Sequence, residues 1–175
     1  DEYELDLLNR YEHGEFFTQD SIKQDESIAY QTKNGRIVYG GGGIMPDIFV
    51  PQDTVGYTSY YAAVSRLGLF TRFPFQYTDK NRQMLAPYTT MEELLSFLQQ
   101  QNLLEEFVVH ATSKGVKRRN NLIRKSRTLM EDILYGNIIY NMLGMEEYVK
   151  YLNLTDPAVL KAVEVLEKGE SKPVL

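Results

Sequence analysis

The sequence predicts an α+β protein: a mainly helical C-terminal domain over residues 51–175, preceded by a small β-hairpin and strand region within residues 1–50. Three observations predict it. From Tyr57 onward, apolar residues recur three and four positions apart, which puts them on one face of a helix. Between Ile28 and Tyr39 they alternate around Asn34-Gly35, the pattern of a hairpin. Hydrophobic residues make up 43% of the chain and charged residues 25%, the composition of a folded protein with a core.

The N-terminal elements follow in order. Glu4–Tyr11 reads as a short helix with Leu5, Leu8 and Tyr11 on one side, stopped by His13-Gly14. Asp20–Ser27 is polar and reads as a surface loop. Ile28–Lys33 forms a first strand. Asn34-Gly35 then favours a two-residue type I′ turn, in which both residues take positive φ, and Arg36–Tyr39 returns. Four glycines lead to Ile44–Val50, a further strand with Pro46 at its start or on an edge, because proline has no N–H for a ladder. A lone hairpin is marginal in water, so these strands require a larger sheet than this stretch supplies.

The helices follow. Tyr57–Leu67 carries Tyr60, Tyr61, Val64 and Leu67 at helical spacing; Leu69–Met84 is a second helix, interrupted or kinked at Pro74. Thr89-Thr90-Met91-Glu92-Glu93 is a capping box in either of two registers, Thr89 with Glu92 or Thr90 with Glu93. It opens a helix holding Leu94, Leu95 and Leu98, continued by Leu103–Thr112 and closed by Gly115. Asn120–Leu143 is expected to be the longest helix, with Leu122, Leu129, Met130, Ile133, Leu134 and Ile138 as its stripe and Gly144 as its stop. Met145–Leu152 follows. Asp156-Pro157 opens a last helix that Ala158, Val159, Ala162, Val163 and Leu166 carry to Gly169, before a loose tail.

Several kinds of chemistry are excluded or disfavoured. Cysteine is absent, which removes disulfides, thiolate catalysis and cysteine-bound zinc. No apolar run approaches about 18 residues, so no segment is expected to span a membrane. The chain opens Asp1-Glu2-Tyr3 with no signal segment, which reads as a mature or excised form. Net charge is −5, which leaves no global field to recruit nucleic acid or acidic lipid. The glycine run is not a phosphate loop, since Ile-Met-Pro-Asp follows it where a helix opened by Gly-Lys-Ser/Thr is needed. Its glycines suit close backbone packing or positive φ.

Lys114, Lys117, Arg118, Arg119, Arg124, Lys125 and Arg127 form a basic stretch. The preferred reading is a solvated helix flank with Glu92, Glu93, Glu105 or Glu106 nearby; missing aromatics weaken single-strand binding. No nucleic-acid partner is expected. His13 and His110 lack metal-ligand spacing and read as structural. Glu131-Asp132 and Glu146-Glu147 are adjacent on helices and point apart, so neither is an acid/base couple. No serine sits in a Gly-x-Ser-x-Gly elbow. No catalytic, cofactor-binding or metal residue is expected, and no cofactor. The 13 tyrosines suit half-buried surfaces or contacts with a partner.

Asn34–Val50, written NGRIVYGGGGIMPDIFV, resembles the stretch after the active site of carboxyl-terminal processing (tail-specific) peptidases. There a glycine-rich turn leads into Gly-Ile-x-Pro-Asp, here Gly43, Ile44, Met45, Pro46 and Asp47. Tyr11–Phe17 is similar to an insertion in the envelope peptidases of Bacteroides-like bacteria, and the helical remainder, including Phe73–Arg82, to that subgroup's C-terminal extension. The resemblance implies a parent serine endopeptidase with a Ser/Lys dyad, a periplasmic or envelope location, and protein or peptide substrates reached through the parent. It also implies that residues 1–50 close the catalytic core's sheet. Both dyad residues lie N-terminal to the motif in that family, and no Phe-Gly-Lys-Gly-like segment stands in this chain. The segment is therefore expected to be inert alone and to support the core or a homo-oligomer. The alternative is a helical interaction or dimerisation module with no enzymatic role.

Overall fold

The computed structural model describes residues 2–18, 21, 29–33, 35, 37–39, 46 and 48–169. Within them the protein is mainly helical with one small antiparallel sheet, the predicted α+β class. Two units separate: residues 1–53 with 157–175, and residues 54–156.

In the first unit, helix α1 spans Glu2–Glu12. Gly14, at φ +80°, turns the chain after it, and Arg10 Nε donates to the Glu15 carboxylate at 2.8 Å. Strands β1 (Ala29–Gln31) and β2 (Ile37–Tyr39) pair with Tyr30 opposite Val38 and Gln31 opposite Ile37. This register corrects the two-residue turn, which would have set Gln31 against Val38. The Gly35 N–H donates to the Thr32 carbonyl at 2.9 Å, and Gly35 alone takes the left-handed conformation, φ +82°, among the described turn residues. That is the form of a longer loop closed by an αL glycine. The strand expected over 44–50 is also corrected: Ile48, Phe49 and Val50 lie in no strand. Instead the Gln52 N–H just beyond them donates to the Phe16 carbonyl at 3.0 Å. Asn34, Arg36, Gly40–Met45 and Asp47 of the motif lie outside the described residues, as do most of the Asp20–Ser27 loop and the tail. Helix α9 spans Pro157–Glu167; Ala158, Ala162, Val163 and Leu166 of its expected stripe are exposed.

The second unit holds α2 (Ser59–Arg66), α3 (Leu69–Leu85), α4 (Met91–Gln99), α5 (Leu103–Ser113), α6 (Asn120–Lys125), α7 (Arg127–Leu143) and α8 (Met145–Asn153). Helix α7 is its axis: it packs along α3 and α8 and also touches α4, α5 and α6. The core is aromatic at one end, where Phe107 is fully buried against Phe70 and Phe73, and aliphatic along Leu94, Leu98, Met130, Leu134, Ile138 and Ile139. α3 runs uninterrupted through the buried Pro74, so the expected break does not occur. Proline there forfeits one helical N–H and leaves the rest of a 17-residue helix to span it.

The expected helix over 120–143 does break, at Ser126. That residue is fully buried, and its hydroxyl donates to the Gly56 carbonyl at 2.6 Å. Its oxygen also lies 2.7 Å from Thr58 Oγ1, which accepts the Tyr61 N–H as the cap of α2. One hydroxyl chain therefore ties the start of α2 to the α6–α7 junction. Gly56, at φ +91°, sits so close to α7 that a Cβ there would lie 3.2 Å from Leu129 Cβ.

Candidate functional site

Three places in the helical unit hold the chemically capable side chains that the sequence points to. The first is the α7–α8 face. Gly136 lets α8 approach closely: a Cβ there would meet the Tyr148 and Tyr151 rings at 3.1 and 3.3 Å. Tyr151 donates to Asp132 at 3.4 Å. Burial raises the Asp132 pKa above the ordinary carboxylate value; the Tyr151 hydrogen bond opposes this, and Glu131 adds to it. Burial likewise raises the Tyr151 phenol, and Asp132 reinforces the shift. Asp132 and Glu131 do point apart, since Glu131 pairs with Arg127 at 3.0 Å. The pair is a packing feature with one stressed acid.

Because its folded pKa is raised, Asp132 contributes stability below the ordinary carboxylate pKa and loses it as pH rises through the folded value. Asp132→Asn is therefore expected to gain in melting temperature relative to wild type as pH goes from 4 toward 7. A difference that does not change with pH would contradict the assignment.

The other adjacent acids divide in the same way. Glu146 is exposed and pairs with Lys150. Glu147 reaches from α8 to accept the Met91 N–H at 2.8 Å, adding a tertiary cap to α4. Thr90 is the local cap, accepting from the Glu93 N–H, while Glu93 returns to the Thr89 N–H at 3.1 Å. Of the two capping registers, Thr90 with Glu93 is the one used.

The second place is a groove of about 450 Å³ beside α3, lined by Tyr77, Lys80, Glu106 and His110 among others. The His110 ring lies 5.4 Å from Phe73, and burial followed by the Lys114 charge lowers its pKa. It therefore stays neutral at neutral pH. No serine, threonine or cysteine lines the groove, and its one hydroxyl is the Tyr77 phenol, whose pKa burial raises, so the groove offers His110 no ready nucleophile to activate. His13 is an exposed turn residue. No group of His, Cys, Asp and Glu able to hold a metal occurs among the described residues. No described helix is long and apolar enough to cross a membrane.

The third is the basic stretch. Arg118 forks onto Glu105, with Nη2 to Oε2 at 2.9 Å, and Arg127 pairs with Glu131. Lys114, Lys117, Arg119, Arg124 and Lys125 are exposed, and none pairs with a carboxylate among the described residues. Nearby acids thus neutralise only part of the stretch. Sequence reasoning missed the roles of Ser126 and Glu147. A polar residue four positions after Leu122, inside an apolar stripe, was the available signal for Ser126; no local signal existed for Glu147.

Residues 60–144, from the second residue of α2 to the glycine that ends α7, match the model of a family described as a family of unknown function (DUF8443). No curated protein and no solved structure matches the chain.

Proposed function

We propose that this chain is the non-catalytic C-terminal portion of a carboxyl-terminal processing serine endopeptidase of the cell envelope. In this reading the parent's Ser/Lys dyad hydrolyses protein or peptide substrates, and this portion supports the core or its assembly. The sequence resemblance at Gly35–Asp47 carries the reading. The hairpin supports it physically. All six strand residues are exposed, including Tyr30 at 62% and Ile37 at 58%. A two-stranded ribbon with apolar side chains in water is marginal, and a neighbouring sheet would cover them. The test is to delete the region from the parent. Loss of peptidase activity or of native assembly is expected; full activity and unchanged assembly would overturn the support role.

The alternative, a helical association module without enzymatic role, is favoured by one observation. Met145, Val149 and Leu152 are 59%, 43% and 43% exposed and stand four and three residues apart on α8. Such a stripe suits a second copy across a two-fold axis. Light scattering separates the readings: a concentration-dependent dimer weakened by Val149→Glu is expected for the module. A strict monomer at high concentration would exclude it.

A further inference from the structure

The net charge of −5 conceals a segregation. The stretch 114–127 holds seven of the 19 basic residues and no acid, so the other 161 residues carry 12 bases against 24 acids, a net −12. Buried Val116, Ile123 and Ser126 pin this stretch to the domain, and its basic side chains all project into solvent. Five of them have no ion-pair partner among the described residues. They lie in the α5–α6 loop and on α6 itself, within a span of 12 residues.

A second observation adds to the charge. The Ser126–Gly56 hydrogen bond and the close approach of Gly56 to Leu129 and to the Lys125 carbonyl lay Gly56 against the end of α6 and the start of α7, with Val55 and Tyr57 as its chain neighbours. Val55 there is 78% exposed, the most exposed of the large apolar residues among those described, and Tyr57 is 54% exposed. An aliphatic tip beside uncompensated cations suits an interface that is anionic at its surface and apolar just beneath. Clusters of about four to eight Lys/Arg next to apolar side chains are what acidic bilayers hold. A polyanionic nucleic acid would leave Val55 without a use. It would also find no aromatic ring within 114–127 for stacking, and the Tyr57 ring is already set edge-on against Tyr61 at 5.0 Å.

We infer that Lys114, Lys117, Arg119, Arg124 and Lys125, with Val55 at their edge, form a docking surface for an anionic phospholipid bilayer. The inference stands apart from the proposed peptidase origin, because it rests on the helical unit alone. The test is co-sedimentation of the full 175-residue chain with vesicles of phosphatidylcholine alone or with about one third phosphatidylglycerol, with a double-stranded DNA fragment as competitor. Binding only to the anionic vesicles is expected, lost at high salt and at least tenfold weaker in K117E/R119E/R124E/K125E. V55D is expected to weaken it severalfold, with an unchanged circular dichroism spectrum in both variants. Equal binding to neutral vesicles, no binding at low salt, wild-type binding by either variant, or tighter binding to DNA than to vesicles would each overturn it.

Discussion

Replacing Phe107 with alanine is expected to destabilise the helical unit by about 3–5 kcal/mol. The side chain is fully buried, stacked on Phe70 at 5.1 Å between centroids and edge-on to Phe73 at 5.5 Å. Removing it deletes the transfer energy of a large ring and leaves a cavity between α3 and α5 that fixed helices cannot close. The aromatic contacts add about 0.5–1.5 kcal/mol beyond area alone. Since domains of this size are stable by only about 5–15 kcal/mol, F107A removes a large share of the total and should lower the midpoint of urea unfolding markedly. F107L keeps most of the volume and should retain a cooperative transition. A midpoint for F107A within error of wild type would mean that the aromatic end is not the core.

Ser126→Ala is the second large effect, a loss of roughly 1–3 kcal/mol for one oxygen atom. The Gly56 carbonyl loses its donor and the Thr58 hydroxyl loses its neighbour, both in a part-buried setting. The alanine also raises local helix propensity, which removes a reason for α6 and α7 to separate. S126A should therefore lower the urea midpoint while the far-ultraviolet helical signal holds or rises. Exchange of the Tyr61 amide, held by Thr58, should quicken. A stability equal to wild type would show that the hydroxyl chain contributes nothing.

Much of the helical unit was legible because its elements advertise themselves locally. Thr90 with Glu93, Gly115 and Gly144 mark boundaries by chemistry that depends on a few neighbouring residues. Two boundaries that the local pattern gets wrong depend on distant partners, whereas the break between α4 and α5 at residues 100–102, where the pattern predicts one continuous helix, involves only local bonds. Ser126 interrupts a periodic stripe because a carbonyl 70 residues earlier accepts its proton. Pro74 fails to interrupt one because packing on both sides holds α3 together. The hairpin was legible and its register was not, since the positive φ at Gly35 serves a two-residue or a longer loop equally well until the pairing is seen. At the candidate surfaces, the basic stretch was visible as composition. Its incomplete neutralisation and its neighbour Val55 were not, because both depend on which residues the fold brings beside α6.

The coding sequence immediately upstream of Asp1 tests the peptidase origin most directly. The account predicts a catalytic core encoded there in frame, with a serine followed by a lysine in a Phe-Gly-Lys-Gly-like segment. A reading frame that starts at this chain, or an upstream domain with neither residue, would contradict it.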